Sequence, residues 1–287
     1  MNEIVQPTVS VVVPWCNRQE VVGTVQRNWP FIRSIGGELI LVNCAGDHEQ
    51  FQNLLRESGV SGVRAVEVPA PVFSKALALN IGVGVMRAPH FFCLDSDVVL
   101  GEDALPLTMA AIEGKPAFAT ISWMHESEPV LSMFGKALAT CQNDYLRSMI
   151  TTVSSVLTFG DGTTLTVPVS KENVFTGSRF GCGLLLVKRE DILAVNGYNS
   201  ELMMWGWEDL DIQLRLKKHL RLEHVEAGEV CHLTHGDEQR ALNGQSRHAT
   251  NLENLARAFT RYSLGDFQGT LEADVNQWRS TLQELPV

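Results

Sequence analysis

Phe91-Phe92-Cys93-Leu94-Asp95-Ser96-Asp97 is the stretch that decides how this chain is read. An apolar run with two aromatics and no turn residue fits a strand buried on both faces. It ends in two carboxylates separated by one small residue. Asp95 and Asp97 then stand at the strand's carboxyl end, where open α/β sheets place their ligands. Acids at i and i+2 can grip one hard cation, or the ribose and metal of a nucleotide. Taken alone, Asp-Ser-Asp also reads as a turn that caps the next helix.

Upstream of this stretch, strands and helices alternate. Strands are predicted over 9–13, 38–42 and 63–68, and helices over 19–35, 47–58 and 75–87. Asp47 and Ser74 read as helix caps, and Pro30 is expected to break or kink the end of the first helix. A helix within 102–113 and a strand near 117–122 follow. This rhythm predicts an α/β fold, a mostly parallel, doubly wound sheet flanked by helices. Such a sheet gathers the loops 14–18, 43–47, 73–80 and 95–97 at one edge. No Gly-x-Gly-x-x-Gly and no Walker loop follows the first strand, which disfavours a standard dinucleotide or P-loop site.

After Trp123 the rhythm changes. A helix is expected over 130–149 and a hairpin over 152–169, turning at Gly160-Asp161-Gly162. A buried strand is expected over 182–187, a helix over 208–219, a strand over 221–226, an extended piece at 230–233 and a helix over 251–262. The tail after Leu264 is polar and expected to be loosely held.

The formal net charge of −10 argues against a nucleic-acid binder, which needs a basic face. Six scattered cysteines without a CxxC point to buried thiols, not to a disulfide framework or zinc site. No signal-peptide pattern opens the chain, and no apolar run reaches the roughly 20 residues of a membrane helix. A cytoplasmic location is expected, with peripheral membrane contact left open.

Two further constellations carry chemistry. In Met204-Trp205-Gly206-Trp207-Glu208-Asp209-Leu210-Asp211, two tryptophans flank a glycine and three acids open a helix. Acids there complement the helix dipole, but the tryptophans call for something more. Aromatic faces beside carboxylates suit a sugar, whose C–H faces stack while the acids accept hydroxyl protons. In His232-Leu233-Thr234-His235, two imidazoles follow a strand and could supply a metal ligand.

These motifs, in this order, resemble the GT-A glycosyltransferases: family 2 over the first half, the β-1,4-galactosyltransferase C-terminal region over the second. Val11-Val12-Val13-Pro14-Trp15-Cys16-Asn17-Arg18 looks like the opening strand and nucleotide-base loop. Phe73 to Gly82, with Lys75 and Asn80, is similar to the helix that approaches the sugar nucleotide. Leu94-Asp95-Ser96-Asp97 matches the DxD motif. Gly197-Tyr198 followed by Trp205-Gly206-Trp207-Glu208-Asp209 is similar to the acceptor and catalytic segment, and His232 to His235 falls where the family keeps a late metal-binding histidine. One departure is Asn43, which stands where many family 2 members carry an acid that contacts uracil; the nearest acid is Asp47.

The resemblance implies a GT-A fold in one domain over 1–263, with 8–122 binding the nucleotide sugar, 123–245 serving acceptor and catalysis, and 264–287 as a tail. It implies a UDP-sugar donor, a glycan or other hydroxyl acceptor as in polysaccharide biosynthesis, and Mn²⁺ or Mg²⁺. Asp95, Asp97, His232 and His235 are the expected metal set, with Asp97 direct and Asp95 shared with ribose. Asp209 is the expected base of an inverting transfer, and Glu208 would hold donor hydroxyls. Pro14, Arg18, Asp47, Lys75, Asn80, Ser96, Gly183, Trp205 and Trp207 are the expected donor and sugar contacts. The alternatives are a retaining enzyme like the polypeptide GalNAc-transferases, a nucleotidyltransferase, or a non-catalytic carbohydrate-binding protein. The nucleotidyltransferase would need a glycine-rich loop where Pro14 to Arg18 has no glycine.

Overall fold

The structure, a computed structural model, describes residues 6–128, 149–204, 206–235 and 246–285. The expected helix at 130–149 and the side chain of Trp205 therefore lie outside the described residues.

The apolar runs become the centre of one large sheet. Strand β1 (Ser10–Trp15) and β2 (Glu38–Cys44) are buried along their whole lengths, as strands covered on both faces must be. Alternate residues serve opposite layers. Val11, Val13, Leu39 and Leu41 pack against helices α1 (Val21–Ser34), α2 (His48–Ser58) and α4 (Ala104–Ile112). Val12, Ile40 and Val42 pack against α3 (Lys75–Val85) on the other side.

Strand β3 (Arg64–Val68) pairs parallel with β2, and β4 (His90–Cys93) pairs parallel with β1. The order β3-β2-β1-β4 means the chain steps outward one way and then crosses back past β1. The carboxyl ends of β1 and β4 flank the resulting switch point, where a ligand crevice forms in such sheets. Beyond β4 the sheet becomes mixed. Strand β9 (Arg179–Lys188), followed by the short helix α5 (Arg189–Ala194), enters antiparallel between β4 and β6 (Ala117–Glu126), and β10 (Glu223–Glu226) and β11 (Glu229–His232) both run parallel to β6. The short β5 (Val98–Leu100) closes this side, antiparallel to β11. The expected hairpin is present as β7 (Ile150–Thr158) and β8 (Thr164–Asn173). The fold is thus mixed α/β, with a large central sheet flanked by helices.

Two local expectations are corrected. Pro30 sits inside α1, which continues to Ser34. The ring forfeits one helical hydrogen bond, while Val25, Asn28 and Ile32 keep the helix docked. The tail is not loose. Helix α8 (Leu271–Trp278) packs on α3, burying Leu271 and Asp274, and β12 (Gln283–Leu285) pairs antiparallel with β3. A polar segment can do this because an edge strand offers backbone groups, which need no apolar side chain to be satisfied.

Candidate active site

The DxD loop is held from below by α1. Thr24 Oγ1 donates to the Ser96 carbonyl at 2.8 Å, and Asn28 bridges Val98 O and Leu100 N at 2.8 and 2.7 Å. Both side chains are buried, so the loop leaves β4 with little freedom. Ser96 is buried in this clamp, and Asp95 and Asp97 project to different partners.

Asp97 meets the β1 loop and the end of β11. Its Oδ2 lies 3.1 Å from Arg18 Nη2, 3.0 Å from His235 Nε2 and 3.7 Å from His232 Nε2. Arg18 is placed by the buried Trp15, whose indole donates to the Arg18 carbonyl at 2.6 Å. Burial works against the Asp97 charge. The adjacent imidazoles of His232 and His235 and the charge of Arg18 outweigh it and hold the carboxyl far below the usual carboxylate range. One ligand atom each from Asp97, His232 and His235 lies within 4.8 Å of the others. One carboxylate and two imidazoles make a mixed oxygen and nitrogen set, which suits a first-row divalent ion such as Mn²⁺.

Asp95 turns to Lys75, 3.0 Å away, and so stands outside that trio. The same Lys75 Nζ lies 3.2 Å from Asp209. A bridge between Ser74 and Met204 brings the start of α3 to the loop before α6 (Glu208–His219), which sets this geometry. The loop itself is strained at Met204 and Trp207, whose φ values are 63° and 73°, while Gly206 between them takes its φ of 103° without penalty. Asn254 of α7 (Arg247–Ser263) pins it through Met203 N, Met203 O and Gly206 O at 3.1, 2.9 and 2.8 Å. Gly183 of β9 lies against the pair. A Cβ there would come 2.5 Å from Asp209 Oδ2 and 3.0 Å from Lys75 Nζ.

Burial opposes the Lys75 charge, but Asp209 and Asp95 outweigh it and hold the ammonium well above its ordinary pKa. Burial raises Asp209, with Lys75 only partly offsetting. Burial and then the neighbouring Asp209 push Glu208 up to about 7 from 4.5. The folded protein thus binds the Glu208 proton more tightly than the unfolded chain does. That contribution to stability is complete below about pH 4.5 and is lost as pH rises through about 7. Glu208→Gln, which cannot ionise, is expected to gain stability relative to the parent as pH climbs across this window. Urea midpoints at both ends check this, and a constant offset contradicts it.

Other expected contacts fall elsewhere. Asn80 is fully buried, bonded to Tyr198 N and O at 2.7 and 2.9 Å and to Asp274 at 2.6 Å. It ties α3 to the Gly197-Tyr198 turn and to α8 and is not presented to the crevice. Trp207 packs into a small cluster with Leu214 and Tyr262, its ring 5.8 Å from Phe259, so it is not an open stacking face. Asp211 is a core anion, held by Arg215 at 2.8 Å and the Tyr262 hydroxyl at 2.6 Å. Asp47 caps α2 through Gln50 N at 2.7 Å. Pro14 is buried within β1. Asn43, in the place of the uracil-contacting acid, bonds Glu67 Oε1 at 2.8 Å. Glu126, Thr24, Asn28 and Asn254 were not singled out by sequence reasoning. Their partners lie far along the chain, and the only local signal is a polar residue interrupting an apolar face.

A family model described as the N-terminal domain of galactosyltransferase matches residues 166–236. No curated protein sequence matches the chain. Among solved structures, glucosyl-3-phosphoglycerate synthase from Mycobacterium tuberculosis with phosphoglyceric acid is similar at TM-score 0.48 and 16% identity, over 87% of this chain and 80% of that one. The same enzyme with Mn²⁺, UDP-glucose and phosphoglyceric acid gives 0.47 and 15% over the same shares. S. aureus TarS 1-349 gives 0.44 and 11%, over 78% of this chain and 57% of that one.

Proposed function

We propose that this protein is a glycosyltransferase that moves a hexose or N-acetylhexosamine from a UDP-sugar to an acceptor hydroxyl, with inversion. Residues 8–122 bind the nucleotide sugar, 123–245 serve acceptor and catalysis, and the enzyme acts in the cytoplasm. The observation that carries this reading is Lys75, which touches Asp95 of the DxD loop and Asp209 of the α6 N-terminus at 3.0 and 3.2 Å. Two acidic motifs more than a hundred residues apart are thereby brought onto one lysine near the switch point of the sheet, where such folds bind ligands. The family match adds support, since 166–236 contains Gly183, Glu208, Asp209, His232 and His235.

Asp97, His232 and His235 would hold the divalent ion. When bound, the ion supplies Lewis-acid neutralisation of the diphosphate leaving group. Arg18 and Lys75 add fixed positive charge on the same side, in positions where charge develops as the sugar–phosphate bond breaks. On the other side Asp209 accepts the acceptor proton as its oxygen attacks. The neighbouring Glu208 holds donor hydroxyls. The buried Gly183 lets the β9 backbone approach the sugar without a side chain intervening.

The test is thermal unfolding against a panel of UDP-hexoses and UDP-N-acetylhexosamines with Mn²⁺. A donor at 100 times its Kd stabilises by about 2.7 kcal/mol, or roughly 5–10 °C in Tm for a chain of this size. A shift with one donor, dependent on Mn²⁺ and followed by hydrolysis of that donor, is the expected result. No shift with any nucleotide sugar removes the reading.

A further inference from the structure

Glu126 ends β6 at the margin of the cation site, and its side chain is nearly sealed from water at 5% exposure. Its Oε2 lies 2.8 Å from His232 Nδ1 and 3.0 Å from the Thr234 hydroxyl, while the Arg179 guanidinium pairs with Oε1. Sheet register builds this contact. In the parallel β6/β11 pair, Glu126 and His232 are direct partners, so their side chains leave the same face. The segment that follows is fixed as well: Leu233 N donates to Asp97 O at 2.7 Å, and Thr234 N donates to Ser127 Oγ at 2.9 Å.

An ionised carboxylate only accepts, so His232 Nδ1 must be the donor. A neutral imidazole has one N–H. With that proton at Nδ1, the lone pair is at Nε2, on the side facing Asp97 Oδ2 at 3.7 Å. Two lone-pair atoms converging in a buried place call for a cation between them. A carboxylate behind a histidine is also the arrangement that orients imidazole ligands in metal sites generally.

We propose that Glu126 is a positioning residue of the cation site. It fixes His232 as the Nδ1-protonated tautomer and aims Nε2 at the ion, and through Thr234 it steadies the backbone that carries His235. The centre therefore takes two imidazoles with Asp97, not one. This inference rests on the reading of Asp97, His232 and His235 as a divalent-cation site.

The full-length protein is titrated with Mn²⁺, following the free ion by EPR. Glu126→Gln is expected to weaken binding about 10–100-fold. In a His232→Ala background the same substitution should change binding by no more than about twofold, because its partner is gone. A merely structural Glu126 would weaken binding equally in both backgrounds, which overturns the proposal. Imidazole ¹⁵N spectra of the metal-free parent test it without any variant. One protonated Nδ1 and one bare Nε2 at His232 support it; an imidazolium or the Nε2–H tautomer overturns it. A parent that binds no Mn²⁺ overturns the cation-site reading and this inference together. A parent that binds Mn²⁺ with an affinity indifferent to Glu126→Gln overturns the inference alone.

Discussion

Asp97→Asn is expected to reduce sugar transfer about a thousandfold, the several kcal/mol that a bound cation supplies to a departing diphosphate. The change is isosteric, so the packing beside Arg18 and His235 survives, but the only carboxylate of the trio loses its charge. Two neutral imidazoles and an amide hold a divalent ion poorly. A competing view makes Asp97 a counter-ion for Arg18, which lies 3.1 Å away, with no further task. In that view the variant loses stability and activity together, while Mn²⁺ still raises its Tm as it does for the parent. The cation-site view expects the Mn²⁺-dependent rise in Tm to vanish, whatever the loss of the Arg18 partner does to the metal-free Tm. An Mn²⁺ affinity preserved in Asp97→Asn would end the assignment.

The part of this site that follows from local sequence was legible, and the part that depends on long-range pairing was not. Val11 to Val13 and Phe91 to Leu94 announce buried strands because every side chain must be apolar when both faces are covered. Alternation with helices then fixes a parallel core and places Asp95 and Asp97 at the crevice. Ser74 and Asp47 were legible as caps, since a cap needs only its own next turn. The mixed half of the sheet resisted, because β9 threads between β4 and β6 and no periodicity encodes which strand is a neighbour. Glu126 is an example: its meaning comes entirely from register with His232, in another strand. Trp207 and Asn80 misled for a related reason. Each carries the residue type a ligand contact would need, yet each is consumed by a partner distant in sequence, Phe259 in one case and Asp274 in the other.

Asp209→Asn is expected to lower kcat by about two orders of magnitude or more, with the KM for donor nearly unchanged. The choice of Asp209 over Glu208 rests on environment. Glu208 is buried, so its carboxylate offers little face to an incoming acceptor hydroxyl, and burial favours its neutral form. The Asp209 side chain is 20% exposed and lies 3.2 Å from the Lys75 ammonium, which favours its charged form against burial. An amide at 209 keeps the shape and one hydrogen bond to Lys75 but cannot take a proton. Donor affinity should hold, because Asp209 is not one of the cation-binding trio. Product stereochemistry separates the remaining alternative. An inverting enzyme gives the anomer opposite to its donor, read from the anomeric proton coupling, and depends on Asp209. A retaining enzyme keeps the anomer and should tolerate the amide. Near-normal turnover of Asp209→Asn, with retained configuration, would move the chemistry to the retaining class and leave Asp209 as a partner for Lys75.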